Sequence, residues 1–126
     1  PVNKHLVLEC LAALLQNRRP SLPQYSVCLE CKRRGAVCVL VAQGTPCLGP
    51  VTQAGCGAIC PANGRGCYGC FGPWPQSNFD SLVPTLVQTE RFAGETHLLL
   101  RNFNAHAPAF RKAAEAALAT SKKKEA

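Results

Sequence analysis

Apolar residues recur at helical spacing near the start of the chain and predict a helix within residues 1–19. Asn3 can cap this helix because its side-chain oxygen can accept a backbone N–H bond. Pro20 follows it, so we interpret residues 1–23 as an N-terminal helix with its connector. One face of the helix carries Val7, Cys10, Leu11, Leu14 and Leu15. We interpret Cys10 as a small buried apolar side chain on this face.

Helical spacing returns in residues 76–126, which we interpret as a C-terminal helical region. Ser77 and Asp80 have the spacing of a capping box, although Asp replaces the usual Glu or Gln. The first helix of this region is expected to end at Gly94. Its apolar face is formed by Leu82, Val83, Leu86 and Val87.

A final helix is predicted to begin near Pro108 and to continue through the alanine-rich residues 113–119. The polar residues 120–126 follow it and include three consecutive lysines. We expect these last residues to fray into a basic, solvated tail.

Glycine and proline dominate the middle of the chain, residues 24–75. Nine of the ten glycines and five of the ten prolines lie there. This density of residues that interrupt regular structure excludes long helices and strands, and such a loop tract is unusual in a compact domain unless it is functional. We therefore expect a mainly α-helical fold with long irregular loops rich in Gly, Pro and Cys, which bind something that orders them.

Eight of the nine cysteines fall in this middle region, in two groups of four. The first group has the spacing C-x2-C-x6-C-x8-C, and after eight more residues the second has C-x3-C-x6-C-x2-C. A C-x-x-C pair therefore stands at each end of the pattern. The eight residues are Cys28, Cys31, Cys38, Cys47, Cys56, Cys60, Cys67 and Cys70.

Disulfides, zinc and iron–sulfur clusters compete as interpretations of this pattern. Disulfides need an oxidising compartment, which nothing in the chain indicates, and C-x-x-C pairs close loops too short to stabilise much. Zinc sites with four cysteines often use two C-x-x-C pairs. Iron–sulfur clusters are favoured, because glycine-rich loops let backbone N–H groups point at the sulfurs, and because Cys60-Pro61 matches the Cys-Pro ending of bacterial cluster motifs.

Eight ligands favour two clusters of four, but the spacing does not say how the ligands divide between them. A sequential division and an interleaved one are both permitted. The region is thus predicted to be an iron–sulfur binding region spanning residues 24–75.

The formal net charge is +7, and much of it sits in the runs Lys32-Arg33-Arg34 and Lys122-Lys123-Lys124. Nucleic acid is the usual partner of a basic chain. These cations are not interleaved with aromatic residues, so we expect no nucleic-acid partner. Cations near a cluster would partly offset its negative charge. We interpret the first run in that way, as a docking surface for a redox partner, or as ordinary solvated surface charge.

Several function classes find no support in the sequence. No window reaches about 18 uninterrupted apolar residues, so we expect no membrane span, and no secretory cleavage pattern appears. We therefore expect a cytoplasmic protein. No nucleophile with its base, carboxylate pair or phosphate-binding loop is present, and we expect no catalytic residue and no cofactor-binding residues besides the metal ligands.

The segments Gly44–Pro61 and Gly64–Pro73 resemble the small subunit of nickel–iron hydrogenases. The resemblance is strongest to the cytoplasmic type that is linked to NAD(P) or acts as a sulfhydrogenase, and it extends over roughly residues 1–85. Further segments that fit this family are residues 1–4, Cys28–Lys32 and Phe79–Pro84.

The resemblance implies the sequential division of the ligands. By this resemblance Cys28, Cys31, Cys38 and Cys47 would hold a distal cluster, and Cys56, Cys60, Cys67 and Cys70 a medial one. Many membrane-linked members have His where this chain has Cys28. Several members lack the counterpart of Cys60 and hold a three-iron cluster, so Cys60 implies a second [4Fe-4S] cluster.

The resemblance also implies a role and partners. The chain would be an electron-transfer subunit of an oxidoreductase, relaying electrons between the nickel–iron site of a large subunit and a diaphorase-type subunit with flavin and iron–sulfur groups, or another redox partner. In the family the small subunit also has an N-terminal flavodoxin-like portion with a proximal cluster, which these 126 residues lack. Since the chain begins at Pro1 and has no Met, we expect a fragment or a processed subunit. The alternative interpretation is a zinc-stabilised interaction module without a redox role.

Overall fold

The computed structural model describes residues 2–89 and 94–125, with side chains described as far as Lys123. Within these ranges there is no strand, only the isolated bridges Ser26–Gln53 and Thr52–Pro73. The prediction of a mainly helical chain with long loops is therefore confirmed. The helices are α1 (Lys4–Leu15), α2 (Val27–Arg33), α3 (Val39–Gln43), α4 (Ile59–Ala62), α5 (Phe79–Gln88), α6 (Thr96–Leu100) and α7 (Pro108–Glu125), with a 3-10 turn at Gly49–Val51.

The predicted cap of α1 is confirmed. The side-chain oxygen of Asn3 accepts hydrogen bonds from the backbone N–H groups of His5 and Leu6, at 3.1 and 3.2 Å. The side-chain amide of Asn3 also donates to the backbone carbonyl of Gly55 at 2.6 Å. This bond ties the start of α1 to a cysteine-bearing loop.

The apolar face of α1 is largely uncovered. Leu14 and Leu15 are 77% and 88% exposed, and Ala13 is the buried residue of this helix. Cys10 is only partly buried, so its interpretation as a buried side chain is wrong. The helical period predicts which residues share a face, but it does not say whether another element covers them.

Helices α5, α6 and α7 pack around a shared apolar core. Phe110 and Leu100 are each 1% exposed and Leu86 is fully buried. The ring of Phe79 meets Phe110 edge-on, with ring centroids 5.1 Å apart. The face predicted for α5 is confirmed, because Leu82, Val83, Leu86 and Val87 are all buried in this core.

The ends of α5 differ from the prediction. Asn78 caps the helix, with its side-chain oxygen accepting the N–H of Ser81 at 3.0 Å, so the capping box at Ser77 and Asp80 is wrong. Asn is as good an N-cap as Ser, which explains the error of one residue. The helix ends at Gln88 rather than at Gly94, and residues 90–93 between them lie outside the described residues.

The last two helices confirm one prediction from the sequence and differ from it in two respects. Helix α7 begins at Pro108, as predicted, but it continues as helix to Glu125 through the polar residues expected to fray. Helix α6 was not predicted, since its five residues are too few to show a period. Among the described residues, no helix is long and apolar enough to cross a membrane.

The cysteine region has its own, much smaller core. Its helices α2, α3 and α4 have at most seven residues, in agreement with the excluded long helices. The buried side chains of this core are Val27, Val39, Ala58 and the thiols Cys47 and Cys67. Two of the five side chains in this small core are therefore thiols.

Gly69 marks the contact between the cysteine region and the helical core. Its φ of +77° is readily adopted only by glycine. A Cβ atom at this position would lie 3.3 Å from both the Phe110 ring and the Leu48 side chain. The side-chain amide of Asn104 also donates to the Gly69 carbonyl. The helical core therefore packs directly against the segment that carries Cys67 and Cys70.

Candidate metal centre

Four cysteines line one cavity of about 90 Å³: Cys28, Cys31, Cys38 and Cys47. They lie on different elements of the fold. Cys28 and Cys31 are three residues apart on α2, which puts them on one side of that helix. Cys38 is the N-terminal cap residue of α3, and Cys47 is the buried member, two residues before the 3-10 turn. We call these four residues the first set.

The other four cysteines line a second cavity, of about 200 Å³: Cys56, Cys60, Cys67 and Cys70. Cys60 lies on α4, and the other three lie in loops. Cys67 is buried and Cys70 is exposed. We call these four residues the second set.

The two cavities are neighbours. Val27 and Pro61 each line both of them, so the first and second sets are separated by a thin wall of side chains. No cysteine of one set lines the cavity of the other. The two cavities are therefore lined by the same two groups of four cysteines that the family resemblance implies. That each group binds one cluster stays a prediction.

The sulfur atoms are neither paired with each other nor gathered around a point. All nine cysteines lie in the described part of the chain, and all are free thiols. Among the described residues, no three His, Cys, Asp or Glu side chains are arranged so that they could hold a single metal ion. Each set of thiols instead encloses a space.

Backbone N–H groups point at the sulfurs. The N–H of Cys67 donates to the sulfur of Cys47 at 3.2 Å, which is a bond from one set to the other. The N–H of Gly69 donates to the sulfur of Cys67 at 3.4 Å. Such bonds stabilise negative charge on sulfur and are one of the means by which proteins tune iron–sulfur clusters.

Burial raises the pKa of several of these thiols. It is the main cause that raises the pKa of Cys28 to about 11 and of Cys67 to about 12, and the nearby charge of Cys47 adds to both. Burial also raises the pKa values of Cys31, Cys47 and Cys56. Since a metal binds the thiolate, it must displace protons here, and its own positive charge favours that loss.

Two glycines of the cysteine region pack closely against a sulfur or a backbone carbonyl. A Cβ atom on Gly49 would lie 3.3 Å from the sulfur of Cys47 and 3.4 Å from that of Cys28. A Cβ atom on Gly66 would lie 1.7 Å from the carbonyl oxygen of Pro46, which is impossible without moving the backbone. Position 66 therefore requires glycine, whereas a Cβ at position 49 would crowd the two sulfurs and force a small shift.

The loop of Cys56 has an unusual backbone. Gly55, Gly57 and Ala58 all have positive φ, at 145°, 73° and 53°. Ala58 is fully buried, and a residue other than glycine adopts this conformation only when its surroundings hold it there. The turn exposes backbone N–H groups toward Cys56, since that of Ala58 bonds to its sulfur and lowers its pKa against the larger effect of burial.

Glu30 is a residue that the cysteine pattern did not single out. It lies between Cys28 and Cys31 on α2, yet its carboxylate accepts the N–H groups of Gly55 and Gly57, at 3.0 and 3.1 Å. It thus binds the loop of Cys56 in the other set. The only signal in the sequence is an acidic residue inside a C-x-x-C pair.

The cations of the first basic run have different positions. Lys32 lines the first cavity and can offset the charge of the thiolates there. The guanidinium of Arg33 instead lies over the ring of Tyr25, 5.0 Å from its centroid, and donates to the Tyr25 hydroxyl at 3.2 Å. Of these two cations, Lys32 is therefore the one placed to act on the ligands.

The donor chemistry and the geometry fit iron–sulfur clusters. Each cavity is lined by four thiols, which are soft ligands suited to iron–sulfur clusters and zinc. The backbone N–H groups that point at sulfur, the lack of a side chain at Gly49 beside two sulfurs, and the walls of Val27 and Pro61 are compatible with a bound inorganic group.

The chain is similar to components of archaeal hydrogenases, although no family model matches it. It is 42% identical over 88 residues to the delta subunit of sulfhydrogenase 2 from Pyrococcus furiosus, covering 70% of this chain and 37% of that protein. It is 35% identical over 94 residues to a subunit of the F420-non-reducing hydrogenase vhu from Methanocaldococcus jannaschii, covering 61% of this chain and 33% of that protein.

A shorter stretch of 36 residues is 58% identical to the iron–sulfur subunit of the F420-non-reducing hydrogenase from Archaeoglobus profundus, covering 29% of this chain and 11% of that protein. The first two alignments thus span about a third of the length of the relatives. All three relatives are subunits of oxidoreductases, and the name of the third includes iron–sulfur.

Proposed function

We propose that this chain is an electron-transfer part of a hydrogenase and that it holds two [4Fe-4S] clusters, one on each set of cysteines. The first set, Cys28, Cys31, Cys38 and Cys47, would hold one cluster. The second set, Cys56, Cys60, Cys67 and Cys70, would hold the other. Each bound cluster supplies a centre that can accept and release an electron.

The observation that carries this proposal is the pair of adjacent cavities, each lined by four thiols from one half of the pattern. The similarity to hydrogenase subunits, one of them named as an iron–sulfur subunit, supports the same conclusion. The residues of the chain hold the ligands in place, exclude water at Cys47 and Cys67, and direct N–H groups at sulfur.

The finer assignment follows the resemblance to the nickel–iron small subunit. The first set would hold the distal cluster and the second set the medial one. Electrons would pass between a nickel–iron site in a large subunit and a flavin or NAD(P) partner in the cytoplasm. A proximal-cluster portion and a large subunit would be the partners on one side, and a diaphorase-type subunit the partner on the other.

A zinc-stabilised module is the competing proposal, favoured by the C-x-x-C pairs Cys28/Cys31 and Cys67/Cys70. Metal and sulfide analysis of protein purified without oxygen separates the two. Two [4Fe-4S] clusters require about eight iron and about eight sulfide per chain and give a brown protein. A colourless protein with zinc and no sulfide would exclude the iron–sulfur proposal.

The division into sets is tested by Cys60→Ser. This change should convert or remove the cluster of the second set and leave that of the first set intact, because Cys60 lines only the second cavity. The measurement is low-temperature electron paramagnetic resonance of the reduced protein, combined with iron and sulfide content. Cys10→Ser is the matched control, since Cys10 lies on α1 and lines neither cavity. Loss of both clusters, or of neither, would contradict the division.

A further inference from the structure

The carboxylate of Glu30 reaches from one set of cysteines to the other. Its helix, α2, carries Cys28 and Cys31 of the first set. Its two oxygens accept the N–H groups of Gly55 and Gly57, at 3.0 and 3.1 Å. These N–H groups belong to the residues on either side of Cys56, so the carboxylate holds the loop at both flanks of a ligand of the second set.

The carboxylate also lies close to the sulfur that it positions. The distance from Glu30 Oε2 to Cys56 Sγ is 4.0 Å, and both residues are partly buried. After burial, the charge of Glu30 is one of the causes that raise the pKa of Cys56. A cation is near the same loop, because a Cβ on Gly57 would lie 3.6 Å from the guanidinium of Arg34. Among the described residues, however, no salt bridge joins Arg34 to Glu30.

A fixed negative charge at this distance disfavours the addition of an electron. In a partly buried site the effect is screened less than in water. The two N–H groups that Glu30 accepts are also no longer free to bond to sulfur, and such bonds would favour the reduced state. Both effects act in the same direction on the second set, because the carboxylate contacts the loop and the sulfur of Cys56. Glu30 lines neither cavity, and among the described residues its carboxylate has no such contact with a ligand of the first set.

We propose that Glu30 is a positioning residue that holds the Cys56 loop in place and lowers the reduction potential of the cluster on the second set. This inference rests on the proposed function. It assigns to Glu30, which lies between two ligands of the first set on α2, an effect on the cluster of the second set.

The test is a redox titration of both clusters, followed by electron paramagnetic resonance, in wild type and in Glu30→Gln. The change keeps the length of the side chain and removes its charge. At a fixed applied potential, the ratio of reduced to oxidised second cluster should rise about tenfold, which equals a shift of about 59 mV for a one-electron couple. The ratio for the first cluster should change much less.

Glu115→Gln is the matched control, because it removes one exposed carboxylate from α7. It should leave both potentials unchanged. Glu30→Asp keeps the charge but is too short to keep both hydrogen bonds, and its second cluster should titrate closer to wild type than that of Glu30→Gln. An unmoved second cluster in Glu30→Gln, or an equal shift of both clusters, would overturn the proposal.

The cluster content of Glu30→Gln provides a second measurement. If Glu30→Gln loses a cluster, the signals are assigned by comparison with Cys60→Ser, and iron and sulfide are counted. Selective loss of the second cluster supports the positioning role, whereas loss of the first cluster or of both overturns it. Wild type without iron and sulfide would instead refute the proposed function, which distinguishes that failure from the failure of this inference.

Discussion

The helical region of α5 to α7 and the cysteine region before it are ordered by different means. In the helical region Phe110, Leu86 and Leu100 are buried to the level of a normal protein core. In the cysteine region, Leu48 and Val51 are buried in the core of the helices, and its own small core consists of Val27, Val39, Ala58 and the thiols Cys47 and Cys67. Because apolar burial stabilises in proportion to area, we expect the order of the first region to depend mainly on its apolar core and that of the second mainly on what its thiols bind.

The comparison also shows where the two regions depend on each other. Leu48 and Val51 lie beside the cysteines in sequence but are buried in the core of the helices. Phe110 in turn contacts the backbone at Gly69. The helical core therefore supports one side of the cysteine region. Substitutions that test the two regions separately must lie away from this contact.

Metal removal should give the largest difference between the regions. Treatment with a chelator should abolish most of the order of residues 24–75, because metal binding supplies much of the folding free energy of such loops. Hydrogen exchange of the amides of Thr52 and Cys67 should accelerate by at least about tenfold. The amides of Leu86 and Ala113 in the helical core should keep their rates. Equal acceleration of exchange in both regions would show that the cysteine region depends on metal no more than the helical core does.

Leu86→Ala should act on the other region. Its side chain is fully buried in α5, and its truncation should lower the free energy of unfolding of the helical region by about 2–5 kcal/mol. Urea unfolding measures this effect. Leu98→Ala is the control, since Leu98 is 58% exposed and its truncation should change little. Iron and sulfide content should be retained in both variants. A Leu86→Ala variant that folds but binds no metal would contradict the idea that the two regions are ordered by different means.

Gly49→Ala should have the smallest effect on the free energy of unfolding, and among the two clusters it should affect only the one on the first set. Its Cβ would crowd the sulfurs of Cys47 and Cys28, at 3.3 and 3.4 Å, and such overpacking costs about 1–3 kcal/mol. Sulfurs held by a metal cannot move away, so the cluster on the first set should be lost and the second retained. Iron, sulfide and paramagnetic resonance measure the outcome.

The control for this change is Gly94→Ala, where a Cβ would meet nothing within 4 Å. It should keep both clusters. If Gly49→Ala also keeps both, the first set does not bind metal in the arrangement that the geometry indicates.

The sequence predicted those features that depend on neighbours along the chain. The cap at Asn3, the buried face of α5 and the start of α7 at Pro108 all follow from local spacing and local hydrogen bonds. The uncovered face of α1 could not be predicted in this way, because a period does not reveal a missing neighbour. The cap at Asn78 instead of Ser77 was missed because both residues cap equally well.

For the candidate site, the sequence predicted which residues are the ligands but not the shape around them. The cysteine pattern predicted eight ligands and the family resemblance implied how they divide, and both stay predictions. The shared walls Val27 and Pro61, and the reach of Glu30 to the loop of Cys56, depend on contacts between residues more than twenty positions apart. No local pattern encodes such contacts, so only the folded chain reveals them.

The hydrogen bond from the N–H of Cys67 to the sulfur of Cys47 would give electrons a tunnelling path between the two sets of cysteines. On the proposed function, it joins the two centres through covalent bonds and one short non-covalent step, and both residues are shielded from solvent. Cys38 and Cys70, one from each set, face outward instead. Charge would then cross the interior between the inner ligands and enter or leave the protein at the outer ones.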